Sequence, residues 1–286
     1  MKFLDIKTDF AFKKVFGSED SKIRLISFLN AVVKFENNAL IKDLTIIDPY
    51  NVPQLLGMKD TFVDVKAVLD NDSKVIIEMQ VLNHAGFEKR VLYNAAKNYS
   101  TQLLEGEQYH LLNPIIALTI VDFIMFDDND KVISNFKLLE KEQFINYSDD
   151  LEMIFIELPK FNKQIDELNG IAEQWIYFIK NAGSLEYIPG NMHSAITAAF
   201  ESSNTASLTK EELELQYKKK EFISVQKLAL MKAETKGKAE GKAEGIAEGE
   251  SNAKLSIARN LLKAGLDPKL TSKTTGLTID EVEALL

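Results

Sequence analysis

Residues 61–82, TFVDVKAVLDNDSKVIIEMQVL, decide how this chain folds. Two runs rich in Val, Ile and Leu are separated by a short polar stretch around Asn71 and Asp72, the pattern of a β-hairpin. In a strand, alternate side chains share a face. The first strand therefore carries Phe62, Asp64, Lys66 and Val68 on one side and Val63, Val65, Ala67 and Leu69 on the other. In the second, Glu78 and Gln80 share a face with Ile76. With Asn71 or Asp72 central in the turn, Asp64 lies on the same face as Glu78; a slip by one residue sends the two acids to opposite faces.

Two neighbouring carboxylates on strands that are otherwise apolar repel one another, and burying them is costly without a cation or hydrogen bonds. A hard divalent ion such as Mg²⁺ (or Mn²⁺) relieves that cost with few carboxylates and several waters. In phosphodiester hydrolysis such an ion polarises the phosphate and acidifies the attacking water. Two solvated acids on an edge hairpin are also compatible with the spacing, and that alternative stays open here.

Outward from the hairpin, residues 86–105 carry a helical pattern in Val91, Leu92, Ala95, Ala96, Tyr99 and Leu103. NPIIALTIVDFIMF (113–126) is a continuous apolar strand of the kind buried on both faces of a sheet. KVISNFKLLE (131–140) and LEMIFIEL (151–158) read as two more strands. Upstream, LIKDLTIIDPY (40–50) is a strand closed by Asp48-Pro49-Tyr50. It follows an amphipathic helix with Ile23, Leu25, Ile26, Leu29 and Val32, capped at Ser18 or Ser21. In TDFAFKKVF, Asp9 and Lys13 share one side of a helix, and Phe10, Phe12 and Phe16 read as core. The order helix, three strands, helix, strand predicts an α/β fold with a mixed sheet. Beyond Pro159 only helices follow, the clearest being GIAEQWIYFIKNAG (170–183), stopped at Gly183.

The 286 residues are 45% hydrophobic and 27% charged, a globular composition. No apolar run reaches the roughly 18 residues of a membrane span. The N-terminus has no secretion signal, so the expected location is the cytoplasm. Absent cysteines exclude disulfides and thiol chemistry. A net charge of −9 argues against a protein that coats nucleic acid, though not against an enzyme with a local basic groove. His84, His110 and His193 lack metal-ligand spacing, and there is neither a G-x-S-x-G elbow nor a phosphate loop.

Three stretches together, TDFAFKKVFG (8–17), FVDVKA with VIIEMQ (62–67, 75–80) and RVLYNAAKNYSTQLLEGEQYHLLNPIIALTIVDF (90–123), resemble the Rpn family of recombination-promoting nucleases and transposases in the PD-(D/E)XK superfamily. The resemblance covers about residues 4–160 and continues more loosely to the C-terminus. It implies a restriction-endonuclease-like α-β-β-β-α-β core over 1–160, and a Mg²⁺-dependent DNA endonuclease with a part in recombination or mobile-element movement. A non-catalytic interaction protein on the same fold, or an RNA nuclease, is the alternative. By position, Asp64 and Glu78 become the metal-binding acids and the Met79 carbonyl a further ligand. Gln80 stands where the superfamily has lysine; it can orient water but carries no charge. Lys66 or Lys13 would supply the missing charge, and Asp9 would touch the metal or its water, or else serve as a cap or ion pair. Arg90, Lys13 and Gln102 would meet DNA phosphates. Tyr93 and Tyr99, six apart, do not share a helix face.

The remainder divides into a helical extension (161–210), a charged helical or linker segment (211–250) and a small helical, helix-turn-helix-like segment (251–286). GKAEGKAEGIAEGE (237–250) places four glycines at spacing four, each costing a helix about 1 kcal/mol against alanine. Its Lys238–Lys242 and Glu240–Glu244 spacings set like charges together. Two readings stand: a weakly helical or flexible connector, or a helix whose Gly and Ala stripe admits a second helix and gives a homo-oligomer. In the last segment Gly265 reads as a helix stop and Thr278, with Glu281, as a capping box. In its later part only Lys263, Lys269 and Lys273 are available for phosphates.

Overall fold

The computed structural model describes residues 1–35, 39–51 and 59–286. The chain forms two compact units, Met1–Ile223 and Ser224–Leu286. In the first, α1 (Asp9–Phe16) and α2 (Lys22–Val32) precede β1 (Leu44–Ile47), β2 (Tyr50–Asn51), β3 (Thr61–Phe62), β4 (Val65–Leu69) and β5 (Lys74–Gln80). Then come α3 (Phe87–Ser100), β6 (Ile115–Val121), β7 (Ile133–Leu139), β8 (Asn146–Glu157), α4 (Ile171–Asn181), α5 (Ser194–Ser202) and the start of α6 (Lys210–Lys263).

A six-stranded mixed sheet has the order β1-β4-β5-β6-β8-β7. β1, β4 and β5 run as an antiparallel meander, β5–β6 and β6–β8 are parallel, and β7 closes the far edge antiparallel to β8. Within this sheet the predicted order of helix, three strands, helix and strand is the observed one, with β1, β4 and β5 as the three strands. β6 is buried along its whole length, as its uninterrupted apolar sequence requires of a strand covered on both faces.

One face carries the main core. Val65, Ala67, Val75, Ile77 and Met79 meet Phe12 and Phe16 of α1, Phe28 of α2, Trp175 and Phe178 of α4, and Phe200 of α5. Trp175 is fully buried, with the rings of Phe16, Phe28 and Phe178 at 5.5, 5.7 and 5.9 Å. Burying each such side chain contributes about 1.5–3 kcal/mol. The helices of 161–210 thus complete the same core as α1 and α2. Gly183 lies just past α4, where a Cβ would stand 2.8 Å from the Asp5 Cα; close approach of two backbones requires glycine there. In α2, Ile23 is 77% exposed and Phe28 takes the inward place. α3 covers the other face through Ala95, Val91 and Phe87. It ends at Ser100, earlier than its apolar pattern, where the Thr101 hydroxyl bonds the Lys97 carbonyl at 2.8 Å.

In the second unit, the repeat 237–250 is helical throughout, within α6. The predicted like-charge spacings are offset by pairs from outside the repeat: Lys238 with Glu234 at 2.5 Å, and Lys236 with Glu240 at 3.5 Å. Frequent Ala, Glu and Lys, all strong helix formers, further offset the glycines. After Gly265, at φ +87°, come α7 (Pro268–Thr275) and α8 (Ile279–Glu283). Asp267 caps α7, accepting from the Lys269 and Leu270 N–H groups, and the expected Thr278–Glu281 capping box opens α8. Ala258, Leu277 and Val282 form the buried centre of this small bundle.

Candidate active site

The β4–β5 register opposes Val65 with Ile77 and Lys66 with Ile76, so extension by one residue brings Asp64 opposite Glu78. The regular alternation, however, breaks there. Val63 packs under α3 with Ile76 and Ala95, whereas Val65 packs in the main core. Two residues that alternation assigns to one face lie on opposite faces because the chain bends at Asp64. The predicted single strand 61–69 is consequently two: β3, which pairs with β2, and β4.

The bend gives Asp64 its position. Its backbone N–H donates to the Ile77 carbonyl at 3.0 Å, and its Oδ2 accepts from the Met79 N–H at 2.8 Å. The side chain thus bonds a strand amide at the place where β4 begins. From α1, Lys13 Nζ lies 3.4 Å from Asp64 Oδ1. Burial raises the Asp64 pKa against the lowering effects of the Met79 N–H and Lys13, and Asp9 adds to the rise. A residue in a paired strand sends its N–H and C=O to the same side. The Met79 carbonyl therefore leaves β5 on the Asp64 side.

Glu78 and Gln80 face α3. Gly86, at φ +81°, turns the chain from β5 into that helix; a side chain there would strain the backbone. From its first turn Arg90 donates to Glu78 Oε1 at 2.5 Å and to Gln80 Oε1 at 2.7 Å. Gln80 Nε2 donates to the Leu82 carbonyl at 2.8 Å, so both ends of its amide are fixed. Burial raises the Glu78 pKa; Arg90 opposes the rise and the Asp64 charge reinforces it.

Asp64, Glu78, Gln80, the Met79 backbone, Lys13 and Arg90 thus meet at one end of β5. Asp9 is exposed and pairs with Lys219 at 3.4 Å, reaching the site through its charge on Asp64. Lys66 lies further along the sheet with Lys74 and Lys97 as charged neighbours, and its pKa is lowered by burial, then by Lys74, against Asp48. Gln102 is not brought to the cluster. It clamps the start of β6, donating to the Asn113 carbonyl at 2.8 Å and accepting its N–H at 3.2 Å. Tyr99 bonds Asp150 at 3.2 Å, whereas Tyr93 is exposed.

Sequence reasoning missed Asn94. It is buried, hydrogen-bonds Glu78, and has an Oδ1 with no partner. Its signal was a polar residue four after Arg90, between the apolar Val91 and Ala95, hence on the Arg90 face of α3.

Among the described residues no group of three or more His, Cys, Asp or Glu side chains forms a metal site. Two desolvated carboxyls, a backbone carbonyl and the orphaned Asn94 oxygen are nevertheless hard oxygen donors. They fit Mg²⁺, which takes one or two carboxylates and keeps several waters.

A mixed sheet begun by an antiparallel meander, a helix after the hairpin, a buried parallel strand beyond it and acids at the hairpin's edge define a restriction-endonuclease-like PD-(D/E)XK core. Residues 6–233 match the family described as PD-(D/E)XK nuclease family transposase, and residues 251–286 match the Rpn/YhgA-like nuclease family, C-terminal HTH domain. The chain belongs to the PD-(D/E)XK nuclease family transposases, in agreement with the resemblance read from its sequence. No curated protein and no solved structure matches it. Among the described residues, no helix is long and apolar enough to cross a membrane.

Proposed function

We propose that this protein is a divalent-metal-dependent DNA endonuclease whose centre is Asp64 and Glu78. The observation that carries the reading is the pair of desolvated carboxyls brought opposite one another near the end of β5, with Lys13 on one and Arg90 on the other. Asp64, Glu78 and the Met79 carbonyl would hold the cation, with Mg²⁺ or Mn²⁺ matching the donors. When bound, the ion supplies Lewis acidity toward a phosphate oxygen and lowers the pKa of water.

The chain's own groups have separate tasks. The Met79 N–H fixes one Asp64 oxygen, leaving the other toward Lys13. Lys13, with a half-exposed side chain, brings the positive charge that Gln80 lacks and faces an incoming phosphate. Arg90 orients Glu78 and Gln80 together, and its guanidinium is the natural second phosphate contact. Gln80 neither gains nor loses a proton; it positions. The C-terminal HTH domain favours DNA over RNA, because that motif places a helix in the major groove of a DNA duplex. Recombination or mobile-element movement in the cytoplasm, with copies associating through the C-terminal helices, is the setting this reading gives.

The test is conversion of supercoiled plasmid by wild type and Glu78→Gln with Mg²⁺, Mn²⁺ or EDTA. Nicked or linear product should form with either metal, vanish in EDTA and be absent with the variant. Equal cutting by both proteins would remove Glu78 from the chemistry. A folded wild type that cuts nothing with either ion would favour a non-catalytic interaction protein.

A further inference from the structure

Beside Glu78 the first unit has an open cleft of about 710 Å³, within the usual range for small-ligand sites. Part of its wall is Phe62, which is 64% exposed. Its ring stacks on Tyr50, centroids 4.6 Å apart and planes 28° from parallel, across the β2–β3 pair. The Tyr50 hydroxyl is hydrogen-bonded to Asp60, which fixes the lower ring. Such a cross-strand stack stabilises a short ribbon, but it accounts for one face of each ring only. At the bend before β4 it is Val63 that turns into the core, leaving Phe62 outside. Tyr93, from α3, is a second exposed ring in the same cleft.

The charges around the rings suit a phosphodiester. Lys89 and Arg90 line the cleft where α3 begins, and a helix N-terminus favours anions. Of the two lining acids, Asp60 is engaged by Tyr50 and Glu78 by Arg90. A flat ring with one open face is matched by the face of a base. A duplex shows only base edges in its grooves, whereas an unpaired nucleotide presents its face.

We propose that the Phe62–Tyr50 ledge stacks an unpaired base of single-stranded DNA and thereby places the adjoining phosphate beside Arg90 and Glu78. The substrate class of the site is accordingly DNA that is single-stranded at the cut. This rests on the nuclease reading above for its second half only, since stacking is measurable without cleavage.

The experiment uses the full chain in EDTA, with a fluorescent oligothymidylate and a blunt duplex, each of about 20 nucleotides, long enough for a single-strand site. Phe62→Ala should weaken single-strand binding by about tenfold, the usual effect of removing one stacking ring, while duplex binding changes by less than about twofold. Phe62→Leu keeps apolar bulk without the ring and should show the same loss, which covers the case of an alanine variant that does not fold. Phe62→Trp should bind like wild type, and its emission should be quenched by the oligothymidylate; the only native tryptophan, Trp175, is buried in the core. Wild type that does not bind the single strand, ring-free variants that bind it normally, or equal loss for both DNAs would overturn the ledge. Plasmid cutting is scored apart. Cutting with ring-independent binding defeats the ledge alone, and ring-dependent binding without cutting defeats the nuclease reading alone.

Discussion

Replacing Asp64 by asparagine and by alanine separates what its charge does from what its oxygen does. In the fold, Asp64 Oδ2 accepts the Met79 N–H at 2.8 Å, and Met79 is only 5% exposed. Asparagine keeps an acceptor of the same shape; alanine leaves a buried amide without one, at a cost of about 1–3 kcal/mol. Both variants lose the ion pair with half-exposed Lys13, worth under about 1 kcal/mol. Both also shed the burial penalty that raises the Asp64 pKa, so these effects cancel in the comparison. At about 2 kcal/mol, and about 2–4 °C per kcal/mol for a unit of this size, Asp64→Ala should melt roughly 4–8 °C below Asp64→Asn. Trp175, buried in the main core, reports the melting of the first unit by its fluorescence. Neither variant should cut plasmid. Coincident melting curves would refute the structural role given to the Met79 bond, and an asparagine variant that cut at the wild-type rate would refute the role of the charge.

Gln102→Ala removes both bonds to Asn113 and should lower stability by about 1–3 kcal/mol while the folded protein cuts at the wild-type rate; lost cutting in a folded variant would return Gln102 to the site. Glu152 has its pKa raised by burial, opposed by Lys137 and reinforced by Asp149. A raised folded pKa gives stability that is present below the unfolded value and lost as pH rises through the folded one. Glu152→Gln should therefore melt above wild type at neutral pH and lose that advantage as pH falls toward about 4; an advantage constant with pH would exclude the charge as its cause. Changing Gly237, Gly241, Gly245 and Gly249 together to alanine should raise the thermal stability of α6, followed by circular dichroism, by about 1 kcal/mol per site. Apart from the adjoining residues and the helix's own backbone, no atom lies within 4 Å of the added Cβ positions, so a lower melting point would mean that another molecule occupies that stripe.

Much of the architecture was legible because it depends on local period and composition. Unbroken apolarity over 115–121 marks a central strand, and polar residues around Asn71 mark the turn that sets the hairpin register. The charge pairs of α6 were missed by inspecting the repeat without its flanks, since Glu234 and Lys236 lie just before it. The site was legible only in part. Asp64 and Glu78 could be set opposite one another by counting, but the bend that points the Asp64 carboxylate at the Met79 N–H violates the alternation on which the count relied.

The sequence by itself determined the succession of elements in the main sheet and the pairing of the two acids across one hairpin, while the family was read from the resemblance of its motifs. The first two follow from side-chain periodicity and from contacts between residues fewer than about 20 apart, which turn geometry constrains directly. Only the tertiary structure decided which cation meets each acid, Lys13 for Asp64 and Arg90 for Glu78, with Lys66 set beside Lys74 and Lys97. It also joined Gln102 to Asn113 and drew the helices beyond residue 160 into the same core. Those partners lie on separate elements, and their meeting depends on how layers pack against the sheet, which no local pattern encodes.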